Sequence, residues 1–314
     1  MKRLLAILAF AMLPSFAFAQ TPSETLSQLF QEERQFLWRE DPLAATGDGV
    51  HDFDDRLPSV TPEAYARRLS ADRAFLDRLQ RIDRAALSHQ EQVSYDLFAF
   101  MVGQWVQLAR YNDWRLPLNS DSGFYSDILF LGSSHAPRTT HDYETYIARL
   151  NDVPRYFREQ IANMRQGMRD GFTLPAEIAP GVGQVIDGLH YTRAEDAPVW
   201  SPFADFPDTV PEQDRARLTE AGRAAITNAV IPAFDEFRTF FANEYAPRAR
   251  RTIAAGSLPN GRAYYADLVR YYTTLPDATP RQVHEIGLRE VARIRAEMEG
   301  IIREVGFQGS FADF

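Results

Sequence analysis

Thr279-Pro280-Arg281-Gln282-Val283-His284-Glu285-Ile286-Gly287-Leu288-Arg289-Glu290-Val291 decides the fold class. A threonine cap, a proline at the first helical position and a glutamine three residues after the cap form a helix-start signature. Val283, Gly287, Val291, Ile294, Met298, Ile301 and Val305 then step by three or four, the spacing of one helix face. At about 1.5 Å per residue, roughly 26 residues predict a rod of about 40 Å.

The same grammar repeats upstream. Gly261 to Tyr272 reads as a short helix, and before it Thr209 with Glu212 reads as a capping box. That box opens a face of Leu218, Ile226, Val230, Phe237 and Phe241, kinked at Pro232 and ending at Tyr245. Pro198, Pro202, Pro207 and Pro211 around Trp200, Phe203 and Phe206 predict an extended crossing, and Leu174 to Leu189 a shorter helix. Thr140 starts a long helix through Tyr143, Ile147, Leu150, Phe157, Ile161 and Met164, bent at Pro154 and stopped by Gly171. Between Asn112 and Thr139 the periodicity fails, which suits short strands or extended loop. Ser88 with Glu91 boxes a helix to about Tyr111, and Thr61-Pro62 opens one carrying Tyr65, Leu69, Leu76, Leu79 and Ile82. Ser23 with Glu24 opens the first, with Leu26, Leu29, Phe30 and Leu37, ending near Asp41-Pro42. The reading is all-α: long packed helices without internal repeats.

Composition narrows the chemistry. The 314 residues carry a net charge of −9 and no cysteine. A negative chain lacks the basic footprint that nucleic acid requires. Without thiols there is no disulfide framework, thiolate nucleophile, Cys-ligated zinc or lipid-bearing cysteine. Lys2-Arg3, the apolar run Leu4 to Leu13 and Ala17-Phe18-Ala19 read as a secretory signal peptide, residues 1–19, cleaved after Ala19. The run is too short for a membrane span of about 20 residues, so residues 20–314 are expected as an exported helical domain without a membrane anchor, periplasmic or extracellular.

The candidates for chemistry are oxygen and imidazole. None of His51, His89, His135, His141, His190 and His284 has metal-motif spacing. His284-Glu285 begins an H-E-x-x-H pattern, but Leu288 stands where the second imidazole belongs. Asp48, Asp52, Asp54 and Asp55 miss the EF-hand register and read as a solvated acidic turn. No G-x-S-x-G elbow presents Ser122, Ser133 or Ser134, and no phosphate loop exists. The pairs Tyr264-Tyr265 and Tyr271-Tyr272 suit a groove wall or the core.

One resemblance covers nearly all of residues 20–314. The run Gly47 to Glu63, Tyr143-x-x-Tyr146-x-x-Arg149-Leu150, Gly171-Phe172-Thr173-Leu174-Pro175 and Glu244-Tyr245-x-Pro247-x-Ala249-Arg250 follow one pattern. Leu258-Pro259-Asn260-Gly261-Arg262-Ala263-Tyr264-Tyr265, the Thr279 to Val291 stretch and Gly306-Phe307-x-Gly309-Ser310 complete it. The chain resembles the bacterial family catalogued as domain of unknown function 885, exported proteins similar to zincin-type metallopeptidases. The resemblance implies the amino-terminal half of a zincin-like, gluzincin-type helical fold, with the zinc helix in a carboxy-terminal half beyond Phe314. It implies zinc and a peptide substrate for the full-length parent. No residue here matches a zinc ligand, so this half is expected to hold neither metal nor catalytic group. Tyr271, Tyr272 and His284 flank the turn inside the best-matching stretch and are candidates for a substrate cleft; the same groups also suit an ordinary helix start. The alternative function is a non-catalytic exported helical module that binds peptides or a partner protein. A half domain is also expected to expose apolar surface on its last helix.

Overall fold

The computed structural model describes residues 20–314; the segment read as a signal peptide lies outside them. Every element among the described residues is helical, and strand-like pairing is limited to two isolated bridges, Leu118 with Gly123 and Pro175 with Arg250.

Helix α1, Pro22–Glu40, is capped by Thr21 rather than Ser23, in a full box with Glu24. Asp41 turns the chain directly into α2, Pro42–Gly47, by accepting from the Leu43 and Ala44 N–H groups. Helices α3, Pro62–Leu79, and α4, His89–Ala109, start at the expected Thr61 and Ser88 caps. Together α1, α3 and α4 enclose a small core of Leu26, Leu29, Phe75, Leu79, Ile82 and Leu87.

The aperiodic stretch from Asn112 to Thr139 forms no strand. It folds into one turn at Asp113–Arg115 and the short helices α5, Tyr125–Leu129, and α6, Leu131–His135. Helix α7, Thr140–Asp170, is the central rod of 31 residues and passes through Pro154 as one helix. Its cap is Thr139, boxed with Asp142, and Gly171 ends it at φ 74°, a left-handed geometry that suits glycine.

After α8, Ala179–Asp187, the proline-rich crossing is not extended as expected. Prolines at first-turn positions are compatible with helix, and the chain makes the turn Pro198–Trp200 and helix α9, Ser201–Ala204. Two hydroxyls of α7 dock it: Tyr143 donates to the Pro202 carbonyl at 2.6 Å and Tyr146 to that of Val199 at 2.8 Å. Helix α10, Glu212–Ala225, begins at Pro211 without a side-chain cap, two residues past the expected Thr209, whose hydroxyl donates to the Arg138 carbonyl. It runs through a wide π turn, Ile226–Val230, into α11, Ile231–Phe240, and a second, Phe241–Tyr245. Pro232 has no N–H and its ring crowds the carbonyl four residues back, which the wide turn before it accommodates.

The main core lies between α7, α10 and α11. Phe157 meets Phe234 and Phe124 meets Phe237 edge-on, each at 4.9 Å between centroids. Burying such a side chain contributes about 1.5–3 kcal/mol. Helices α12, Gly261–Thr273, and α13, Pro280–Glu304, complete the chain, the latter with the expected Thr279–Gln282 box.

Candidate functional site

Helix α12 is anchored at one buried carboxylate. Asp267 accepts from Tyr111 Oη at 2.6 Å, Gln107 Nε2 at 3.2 Å, Arg110 and, within α12, Arg270 Nη1 at 2.8 Å. Burial raises its pKa, but these donors and the Arg110 charge outweigh it and hold the carboxyl below its ordinary range. At the start of the helix Gly261 is required sterically, since a Cβ there would lie 2.1 Å from the Ala255 carbonyl oxygen.

The anchored helix carries two of the predicted cleft residues to its open end. The Tyr271 and Tyr272 rings stand edge to face at 5.1 Å, and Tyr272 is 77% exposed. His284 lies on the second turn of α13, also exposed, and no side-chain hydrogen bond links it to either tyrosine among the described residues. Tyr271 and Tyr272 meet each other, and the three do not form a constellation.

The surface beside them is apolar. Along α13, Val283, Ile286, Val291, Ile294, Met298 and Ile301 are between 39% and 68% exposed, and only Ile302 is buried. The other face carries the ion pairs Glu290–Arg293–Glu297 and Arg295–Glu299. The helix is therefore amphipathic, with its apolar side uncovered. It packs chiefly against α12. Gly306, at φ 70°, ends it, and the tail folds back so that Phe311 lies under Arg295 at 3.6 Å.

A second polar centre lies inside the molecule, and it corrects the reading of Asp54 as part of a solvated turn. Asp48, Asp52 and Asp55 are at the surface, but Asp54 is buried beside Arg149, which is fully buried. Arg149 Nη2 donates to Asp54 Oδ1 at 3.1 Å and the Phe53 carbonyl at 3.0 Å; Nη1 donates to Thr46 Oγ1 at 3.0 Å; Nε donates to the Arg56 carbonyl at 3.0 Å. Asp54 also accepts from Thr46 and lies 2.8 Å from Nδ1 of the half-exposed His51. His135, from α6, sets Nδ1 3.3 Å from Arg149 Nη1, so that nitrogen is the acceptor and Nε2 carries the proton. Nε2 is 3.2 Å from Asp54 Oδ2 but outside hydrogen-bond geometry. Burial pushes the imidazole down to about 4, against the pull of Asp54.

This cluster clamps the Gly47–Asp55 loop to the middle of α7. The sequence signal for it was an arginine inside the apolar stripe of α7, between Tyr146 and Val153. Its donors are consumed within the clamp, which leaves little to meet a substrate.

Zinc is implied by the resemblance, and the residues present do not fit it. Among the described residues no group of three or more His, Cys, Asp or Glu is placed to hold a metal ion, and His284 has no second ligand one turn on. A zinc site needs three protein ligands and an open position for water.

Comparisons with known proteins agree on the architecture. A solved structure from Colwellia psychrerythraea, described as "the putative lipoprotein", superposes with a TM-score of 0.82 at 18% identity, over 93% of this chain and 53% of that one. One from Shewanella oneidensis, "a putative lipoprotein of unknown function", gives 0.61 at 15% identity, over 93% of this chain and 50% of that one. The chain thus spans about half the length of these structures. No curated protein matches it. The family model described as "Bacterial protein of unknown function (DUF885)" matches residues 42–314, and the chain belongs to that family.

Proposed function

We propose that this chain is the amino-terminal portion of an exported, zinc-dependent peptidase, in which it forms one wall of the substrate cleft and leaves the metal and the reacting groups to a further portion. The observation that carries the reading is the uncovered apolar face of α13 beside Tyr271, Tyr272 and His284. An exposed apolar face of this kind marks a surface that another surface covers. The match over half the length of the Colwellia structure supports a covering portion of similar size. The resemblance to zincin-type peptidases supports the reaction class, and the leader read in residues 1–19 supports export, as does the description of both structural neighbours as lipoproteins. In this reading Tyr272 and His284 contact the bound peptide, and the Arg149 clamp and the Asp267 anchor keep the wall rigid.

The test is made on the longest polypeptide the gene encodes. Metal analysis is expected to find one zinc per chain, and peptide hydrolysis is expected to stop with a chelator and return with added zinc. Tyr272→Ala and His284→Ala should raise KM severalfold at unchanged zinc content. A metal-free protein without hydrolysis would remove the peptidase reading. The non-catalytic module would then account for the same face as a protein-binding surface.

A further inference from the structure

A groove of about 600 Å³ opens where α1, α3 and α4 splay apart, between the small core and the main one. Its walls are aromatic: Phe36 from α1, Tyr65 from α3, Trp105 from α4 and Trp114 from the turn that follows α4. Tyr65 and Trp114 are stacked, 5.4 Å apart and 11° from parallel, so the groove holds a preformed flat surface.

Its charges are unbalanced. Glu33 of α1 and Asp72 of α3 line it, both partly buried, and neither has a hydrogen-bond or ion-pair partner among the described residues. The cation in the groove, Arg68, is already engaged. It lies 4.6 Å over Tyr65, donates to the Ser59 carbonyl at 3.0 Å and sits 3.9 Å from the Glu40 carboxylate. Glu40 in turn holds Arg67. Burial raises both carboxyls above their ordinary range, Asp72 to about 6, and the Asp72 charge adds to the rise at Glu33. The nearby charges, Arg34 at Glu33 and Arg68 at Asp72, pull the other way without outweighing burial, and neither closes an ion pair with its carboxylate, so each favours a further positive charge.

We propose that this groove binds a small organic cation, an ammonium carried on an apolar or aromatic body, with its charge at Glu33 and Asp72 and its body against Trp105 and Trp114. The complementarity is twofold. The ammonium meets the carboxylates in a partly desolvated site, where charge-assisted contacts are strongest, and its substituents meet ring faces that attract cations. An anion would add to the negative charge of a groove already lined by Glu33, Glu40, Asp72 and Asp113 against the cation Arg68, and a neutral apolar ligand would desolvate Glu33 and Asp72 further without compensation. Neither the family nor the peptidase reading assigns this groove, and the site stands if that reading fails.

Two of the four tryptophans line the groove, so binding can be followed by their fluorescence. The probe is benzyltrimethylammonium, whose charge is fixed at every pH, with phenylacetate as the anionic counterpart and benzyl alcohol as the neutral one. Saturable quenching by benzyltrimethylammonium is expected, confirmed by calorimetric titration, and at least tenfold weaker for the other two. The double variant Glu33→Gln/Asp72→Asn should bind at least tenfold more weakly with an unchanged circular dichroism spectrum, while Asp121→Asn, in an exposed loop, should bind as the wild type does. If the double variant does not fold, Trp114→Phe serves as the second probe of place and should lose part of the quenching. Absence of saturable binding, equal binding of phenylacetate, or cation binding untouched by the groove variants would overturn the proposal.

Discussion

A buried charge is retained only where its partners repay its desolvation. At Arg149 they do: the guanidinium meets Asp54, Thr46, His135 and the backbone carbonyls of Pro42, Phe53 and Arg56. Replacing it leaves Asp54 buried beside lost donors, so Arg149→Met should cost about 3–5 kcal/mol of unfolding free energy. Arg149→Lys should recover only part of this, because an ammonium cannot reproduce the planar fork. Denaturant titrations of the three proteins decide it. The same clamp sets a pH dependence. His135 falls from 6.5 to about 4 on folding, so between those values the unfolded chain binds a proton that the folded chain refuses. Stability is complete above about 6.5 and is lost as pH falls toward 4, by an amount on the order of 2 kcal/mol. Asp72 works in the opposite sense over nearly the same range. Its carboxyl is raised from 3.8 to about 6, so the folded chain holds the extra proton and gains on acidification, an effect reduced by its partial exposure. Asp72→Asn should therefore steepen the loss of stability below about 6.5, and His135→Gln should flatten it. Parallel curves for all three proteins would sink both assignments.

Elements bring partners together that no local pattern announces. Gly222 of α10 faces Phe203 of α9 so closely that a built Cβ would stand 2.3 Å from the ring. Both positions are buried in the main core, where overpacking typically costs about 1–3 kcal/mol, and Gly222→Ala should lose that much. The loss should shrink in a Phe203→Leu background, since the two residues share one contact; equal losses in both backgrounds would place the strain elsewhere. This contact also shows what the sequence could and could not tell. Caps at Thr61, Ser88 and Thr279 were legible because a cap, boxed at Ser88 and Thr279 and followed by Pro62 at Thr61, is complete within four residues. The Thr209 box had the same letters and failed, because the helix starts two residues later at Pro211 and the Thr209 side chain is held by a carbonyl 71 residues away. Asp54 looked solvated for the same reason, its partner Arg149 lying 95 residues on. Among the candidate cleft residues, sequence placed Tyr271, Tyr272 and His284 near one turn, but their exposure depends on what α13 leaves uncovered. The groove at Glu33 and Asp72 carried no motif, since its members come from three helices and a turn.

At the scale of the molecule, the two cores close around α7 and α3, while α13 stands with its apolar face in water. A charge placed at an exposed position costs little, whereas one placed under a covering surface must be desolvated and costs several kcal/mol. Val291 is 68% exposed and Met298 43%, so Val291→Glu/Met298→Glu in residues 20–314 should leave the melting temperature nearly unchanged. Wild-type residues 20–314 should associate with rising concentration in sedimentation velocity, because uncovered apolar faces bury one another, and the double variant should stay monomeric. In the longest polypeptide the gene encodes, the same pair of charges should destabilise the fold, because the proposed further portion covers that face. The sign of the effect thus separates the two readings of the surface. Destabilisation confined to the longer chain means the face is the seat of a second half, and a harmless variant in both, with a wild type monomeric at every concentration, means that α13 is free in solution and the wall of a cleft must be sought elsewhere.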